Sequence, residues 1–411
     1  MRSPFSRSGP ARGFRRTAAV LLAALLAAGP VAAPAAHADI VRDKQRPLLD
    51  LLEAEDAWKI TRGEGVTVAV VDTGVDARQA DLAGAVTTGP NMLADIDGTT
   101  EPRRLHGTAM ASLIAGRGHG PGRRDGIIGL APRARVLAVR AIAEPEDDSY
   151  PVFRSSERAE SAVARGIRYA ADNGADVINL SLGKYRENPD ERAAIGYAIG
   201  KGVVVVSAAG NDGDRKRRLD EDGFAPYSYP ASYPGVIAVA ATKPGHGRAP
   251  FSNRNYSVLV SAPGDGVPAA EPGRYIISSG TSDSSALVSG IAALIRSKYR
   301  KLPPPLVAQA LVNASRYGAA GGYDAGVGFG EVSAARALAA AAALTAPRPG
   351  GPGGQAAGRR FGDAAPGPVP VIERPFWVRP VIVAVVGGGA LGTLAAIVIT
   401  IMLARRHPRA S

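Results

Sequence analysis

Asp72, His106, Asn211 and Ser282 lie far apart in the sequence, yet each stands where a strand ends or a helix begins. Asp72 closes "VTVAVVD", His106 opens "HGTAMASLIAG", Asn211 follows "VVVVSAAG" and Ser282 follows "YIISSGT". Each alone has an ordinary structural reading as a turn former, a structural histidine or a helix cap. Together they supply complementary parts of one reaction. A serine hydroxyl attacks poorly until a base takes its proton, and imidazole is the side chain suited to that near neutral pH. A buried carboxylate fixes the imidazole tautomer and stabilises the imidazolium. An amide donor such as Asn211 can bind the developing oxyanion, a contribution of about 3–4 kcal/mol in the transition state. The chemistry is acyl transfer through a serine.

Such residues need a rigid scaffold, and the middle of the chain provides a pattern for one. Short β-branched runs at 66–71, 135–142, 176–182, 203–209, 236–242 and 257–264 read as buried strands. Between several of them lie helical stretches such as 160–174 and 191–202, each closed by glycine. Near-continuous apolar strands alternating with helices predict an α/β fold, with a mainly parallel central sheet covered by helices on both faces. In such sheets ligands sit beyond the carboxyl ends of the strands, where the four residues fall.

The blocks "VAVVDTGVD", "HGTAMASLIAG", "INLSLG", "VVSAAGND" and "GTSDSSALVSG" occur in this order over residues 66–290. In them the sequence resembles the subtilisin-like (S8) serine proteases. The resemblance implies a subtilisin-like three-layer fold, a triad of Asp72, His106 and Ser282, and Asn211 as oxyanion donor. It further implies that Ser181-Leu182-Gly183 and Ala208-Ala209-Gly210 line the P1 pocket and pair with a polypeptide substrate held as an added strand. The wider layout, with the phrase "AWKITRGEGVTVAVVDTGVD", resembles the mycosins, membrane-anchored proteases associated with type VII secretion in actinobacteria. That likeness implies a type VII secretion membrane complex as partner. The absence of cysteine departs from it, since many mycosins carry disulfides.

The block around Ser282 departs from the usual pattern of Gly-Thr-Ser, an apolar residue, Ala or Ser, Ala, then Pro. Asp283 replaces the apolar residue and Ala286 the proline. A carboxylate in the first helical turn gains about 0.3–1 kcal/mol from the helix dipole, whereas one facing the oxyanion raises the barrier. Neighbouring helical residues point about 100° apart, so we expect Asp283 to serve the helix start and face away from the oxyanion.

Composition narrows the function classes. Lys plus Arg number 49 against 37 Asp plus Glu, a net of +12. The excess sits in residues 1–38, 346–379 and 405–411, leaving the folded middle nearly neutral and giving no basis for nucleic-acid binding. With no cysteine, the fold rests on its core, and a thiol nucleophile is excluded. No clustered ligands point to a catalytic metal or any cofactor, and a structural calcium stays open.

Residues 1–38 read as a secretory signal peptide, with an Arg-rich start, an apolar stretch and Ala36-His37-Ala38 as the cleavage pattern. Val381–Ala404 runs 24 residues without a charge, enough to cross a bilayer core of about 30 Å. Trp377 and Phe376 flank one edge and Arg405-Arg406 the other, which places the C-terminus in the cytoplasm and everything before the span outside. The expected organisation is a signal peptide (1–38), an N-terminal extension packing on the catalytic domain (39–62), the catalytic domain (63–345), a Pro/Gly-rich linker (346–379), a transmembrane helix (380–404) and a cytoplasmic tail (405–411). Two charged loops, 144–158 and 212–226, are expected to be solvated, with substrate selection by charge as the other reading. Three functions remain: a membrane-tethered endopeptidase cutting exported polypeptides, a subtilisin-shaped scaffold steadying a secretion complex, and an esterase using the same triad.

Overall fold

The computed structural model describes residues 39–346, 389 and 392–402. The chain divides into two units, residues 1–346 and 347–411. In the first, strands β1 (Thr67–Asp72), β2 (Val86–Asn91), β3 (Arg117–His119), β4 (Asp125–Ile128), β5 (Arg135–Arg140), β6 (Val177–Leu180), β7 (Val204–Ala208), β8 (Ile237–Thr242), β9 (Val260–Pro263), β10 (Asp265–Glu271) and β11 (Arg274–Ser279) follow in order. The longer helices are α1 (Ile40–Leu51), α2 (Leu105–Ala115), α3 (Ala162–Asp172), α4 (Pro189–Gly200), α5 (Thr281–Lys298), α6 (Pro304–Ala314) and α7 (Ala334–Thr345).

Seven strands form one parallel sheet in the order β2-β5-β1-β6-β7-β8-β9. The expected strand runs supply six of them, in adjacent positions. The seventh, β2, is an edge strand with exposed threonines and a Gly-Pro pair, so it lacks the apolar signature of a buried strand. The two-residue period of a strand divides the core. Val68 and Val70 of β1 pack with α2 and α5 on one face, while Ala69 and Val71 pack with α3 and α4 on the other. This is the α/β arrangement expected, with helices on both faces. β1 is where the chain order reverses, β2 and β5 lying to one side and β6 to β9 to the other. The crevice at its carboxyl end is the position where doubly wound sheets bind ligands.

Residues 39–62 pack into the same core. Leu48, Leu49 and Leu52 are buried, and Gln45 exchanges two hydrogen bonds with the main chain of Ile128 (2.8 and 3.0 Å). The antiparallel hairpin β10–β11 leads directly into α5.

The expected signal peptide lies outside the described residues, as do residues 347–379 of the linker, the cytoplasmic tail and much of the expected span. In the second unit residues 392–402 are helical and exposed. No helix among the described residues is long and apolar enough to cross a membrane.

Candidate active site

Asp72 ends β1 fully buried, and its Oδ1 lies 2.7 Å from His106 Nδ1. The same oxygen accepts from the Thr73 amide at 2.7 Å, while Oδ2 is buried without a partner among the described residues. The strand end and α2 are strapped together by a second bond, from Gly107 N to Thr73 Oγ1 at 2.9 Å. A Cβ at position 107 would come within 2.1 Å of the Gly74 carbonyl oxygen, so only glycine permits this approach. The "DTG" and "HG" pairs in the sequence are thus two sides of one steric fit.

Helix α2 begins after Arg104, whose φ of 57° is left-handed and which makes no side-chain cap. The cap comes from elsewhere. Glu144, four residues beyond β5, accepts from Leu105 N (2.7 Å) and His106 N (2.9 Å) and satisfies two first-turn amides. The loop 144–158 is largely exposed, as expected, but three of its residues turn inward. Glu144, Asp147 and Ser149 are buried, because Arg140 at the end of β5 is itself buried and needs anionic partners. Its guanidinium forms a two-pronged pair with Asp97 (2.7 Å each) and bonds Asp147 at 3.0 Å and the Thr73 carbonyl at 2.9 Å. The charges hold the floor beside Asp72. The loop 212–226 is largely exposed, as expected, although Asp212 turns inward and bonds Tyr185.

Burial opposes a charge on His106, but the Asp72 carboxylate overcomes it, with smaller help from Asp283 and Glu144. The imidazole is raised above its ordinary value to about 9. About a third of its side chain, 35%, stays open to the cleft.

Ser282 is the second residue of α5. Its Oγ donates to the Ser181 carbonyl at 3.2 Å, and Ser181 Oγ donates to the Ser282 carbonyl at 2.9 Å. Beneath them Asn179 of β6 is fully buried. It donates to Ser181 Oγ (3.0 Å) and accepts from Ser285 (3.1 Å) and Ser289 (3.0 Å), which share one face of α5 at i and i+4. Asn179 thereby fixes the register of the helix that presents Ser282.

Asn211 Oδ1 accepts from Thr281 N (2.9 Å) and Thr281 Oγ1 (2.8 Å), which leaves its Nδ2 as the unbound end of the amide. Nδ2 and Ser282 N lie 3.6 and 3.7 Å from one point, where a Cβ on Gly280 would sit. Two donors therefore lie close to one point beside the serine. The segment carrying Asn211 is clamped by buried Asn253, which donates Nδ2 to Ala209 O (3.0 Å) and its amide to Gly210 O (2.9 Å), and accepts from Asp212 N (2.9 Å).

Ser181, Leu182, Gly183, Ala208 and Gly210 line a cavity of about 240 Å³ that reaches Ser282 and Asn211. Ala209 does not. It is fully buried against Ala240 and Val258, because its carbonyl is held by Asn253 and its methyl falls on the core side. A second cavity of about 430 Å³ is lined by His106 and Ser181 and bordered by Glu144, Glu146, Glu271 and Arg274.

Asp283 does not cap the helix. It is 1% exposed, and its Oδ2 accepts from Ser278 Oγ of β11 at 2.8 Å. Oδ2 also lies 3.4 Å from the same Gly280 point as Asn211 Nδ2 and Ser282 N, so the carboxyl group sits close to the two donors. The expectation that Asp283 serves the helix start and faces away from the oxyanion site is corrected. Asp283 lies on the buried side of the first turn of α5, where its hydroxyl partner is on the preceding strand. Burial pushes the Asp283 carboxyl up to about 7, against the opposing pull of Ser278 and His106.

Sequence reasoning missed Glu144, Asn179 and Asn253. Glu144 and Asn253 lie in loops with no local periodicity, and Asn179 reads as one polar residue within an apolar strand. Among the described residues no group of three or more His, Asp or Glu is placed to hold a metal ion.

The sequence model of the subtilase family, peptidase S8, matches residues 63–330, well over half of the chain. Thermitase of Thermoactinomyces vulgaris is 39% identical over 250 residues, covering 61% of this chain and 81% of thermitase. Subtilisin DY of Bacillus licheniformis is 34% identical over 242 residues, covering 59% and 80%. Among solved structures, MycP1 with its N-terminal propeptide removed superposes with a TM-score of 0.59 at 29% identity, covering 71% of this chain and 96% of that one. The MycP3 protease from the type VII (ESX-3) secretion system gives 0.57 at 30% identity, covering 71% and 87%. The resemblance to subtilisin-like proteases read from the five blocks, and that to mycosins read from the wider layout, hold in these comparisons. A parallel sheet of this order, a histidine and a serine at its helix starts, and the extent of the match lead to one conclusion: the chain belongs to the subtilase family and is a serine-type endopeptidase.

Proposed function

We propose that this protein is a membrane-anchored, extracytoplasmic endopeptidase that cuts exported polypeptides, with Asp72, His106 and Ser282 as its catalytic triad. The observation that carries the reading is the 2.7 Å contact between buried Asp72 and His106, whose cavity borders Ser181, the residue that also lines the cavity of Ser282 and Asn211. His106, as a neutral base held in one tautomer by Asp72, takes the Ser282 proton as Oγ turns from the Ser181 carbonyl to attack the scissile carbonyl. Asn211 Nδ2 and Ser282 N receive the oxyanion. His106 then returns the proton to the leaving amine, and water repeats the sequence on the acyl-enzyme. Ser181–Gly183 and Gly210, which line the 240 Å³ cavity, would offer strand pairing to an extended peptide, with the cavity receiving one side chain.

Membrane anchoring rests on the uncharged run 381–404 and its Arg405-Arg406 flank, and export on the leader-like residues 1–38. The link to type VII secretion rests on the likeness to MycP1 and MycP3. Secretion in a strain carrying Ser282→Ala tests the role. Loss of processing together with altered secretion supports the protease. Secretion retained in that strain but lost on deletion of the whole chain supports the scaffold reading instead.

A further inference from the structure

We propose that the amino-terminal edge of the parallel sheet, built around Trp58 and a cluster of arginines, is a docking surface for the phosphate headgroups of an anionic lipid bilayer. The inference deepens the function proposed above and rests on its membrane anchoring.

Two cavities of about 790 and 720 Å³ adjoin at this edge and share Arg62, Gly122, Arg123 and Ile128. Gly65, Gly84 and Arg135 line the second, and they stand at or just before the starts of β1, β2 and β5. The surface therefore lies at the opposite edge of the sheet from Ser282. Nine cationic side chains and three carboxylates line the two cavities, on a folded region that is nearly neutral as a whole. Arg46, Lys59 and Arg133 are answered by Asp43, Asp56 and Glu64 at 3.3, 2.7 and 3.1 Å, in exposed pairs. Exposed pairs of this kind are weak and yield to a competing anion. Arg62, Arg117, Arg123, Arg124 and Arg135 carry no ion pair among the described residues. Arg117 Nε is buried without a hydrogen-bond partner, and burial together with nearby Arg123 and Arg135 lowers the proton affinity of its guanidinium. An edge so rich in uncompensated cations attracts anions from outside the fold.

The apolar members of this edge favour a bilayer over a free anion. Trp58 lines the first cavity, its Nε1 donating to the Leu130 carbonyl at 2.8 Å and the Arg62 guanidinium lying 5.2 Å from its ring centre. Ile60, two residues on, is 48% exposed. A tryptophan, an exposed aliphatic side chain and a set of arginines suit the headgroup level, where amphipathic rings and basic side chains are both favoured. The uncharged run 381–404 would bring such a surface within reach. Lipid phosphates would neutralise the arginines, and contact on this edge leaves the opposite edge free to receive a polypeptide.

The test uses the full chain, whose two tryptophans are Trp58 and Trp377, so Trp377→Phe leaves Trp58 as the reporter. The chain is reconstituted in vesicles of phosphatidylcholine alone or of phosphatidylcholine and phosphatidylglycerol in equal parts. Both carry a trace of phosphatidylcholine with a nitroxide quencher on its headgroup. Trp58 fluorescence is expected to fall by about half on the anionic vesicles relative to the neutral ones. It should recover as salt rises from about 0.1 to 1 M, which shortens the Debye length from about 10 to 3 Å. Arg123→Gln with Arg124→Gln, both exposed, is expected to restore most of the fluorescence. Lys216→Gln with Arg217→Gln removes the same charge from the exposed loop after β7 and is expected to leave the quenching intact. Equal fluorescence on the two vesicles overturns the proposal and leaves an acidic polypeptide as the occupant of this edge. Quenching that survives the Arg123 and Arg124 substitutions overturns it as well. A chain that fails to float with neutral vesicles contradicts the anchoring, while Trp58 fluorescence on added anionic vesicles still decides the headgroup contact.

Discussion

Ser282 and Ser181 are bonded to each other twice, the hydroxyl of each donating to the carbonyl of the other at 3.2 and 2.9 Å. The pair ties the first turn of α5 to the end of β6, and it parks the Ser282 hydroxyl on a main-chain acceptor. In the mechanism proposed here attack would begin with a rotation of one side chain, since the backbone that presents it is already fixed by Asn179 from below.

Oxyanion stabilisation is expected to depend on Asn211 and, behind it, on Asn253. Asn211→Ala removes one of the two neighbouring donors and is expected to lower kcat by about 10²–10³-fold, with KM little changed. Asn253→Ala removes the side-chain clamp on Ala209 and Asp212 and leaves buried main-chain groups unpaired, so it should lower both kcat and Tm. Steady-state kinetics with a peptide substrate, together with thermal melts, separate the two variants.

The buried Arg140 network supports the site from behind, and its loss is expected to appear as instability. Asp97→Ala leaves a guanidinium that is 5% exposed without its two-pronged partner, at a cost of about 3–5 kcal/mol. Urea unfolding measures this directly. A change under 1 kcal/mol would show that Asp147 alone satisfies the charge.

Much of this architecture is legible in the amino-acid sequence. β1, β5 and β6 to β9 stand out as short β-branched runs, because strands buried on both faces have no polar alternation to confuse them. Asp72, His106, Asn211 and Ser282 are visible because each sits at the end of such a run or the start of a helix. What escapes is whatever depends on a partner distant in sequence. Glu144 looks like one acid among several in a charged loop, and its value comes from two amides 38 and 39 residues away. For Asp283, helix geometry alone gives a direction around the axis but not what the preceding strand places there. Ser278 supplies that missing fact.

Stability should fall as the solution becomes more alkaline. Asp283 is raised in the fold from 3.8 to about 7 and His106 from 6.5 to about 9, so the folded state holds more protons than the unfolded one across that range. The contribution of His106 is fully present below pH 6.5 and is lost as pH rises through about 9. That of Asp283 is lost from pH 3.8 upward until about 7. Melting temperature measured from pH 4 to 9.5 is expected to decline, and Asp283→Asn to flatten the decline. A slope unaltered by that substitution would contradict the assignment.

The central claim is that Ser282 is the nucleophile of a working site, and covalent labelling of the purified full chain by a fluorophosphonate tests it most directly. The account predicts a single modified peptide containing Ser282, identified by mass spectrometry, with no modification in Ser282→Ala. A folded, unmutated chain that fails to react, or labelling that persists in Ser282→Ala, would contradict it.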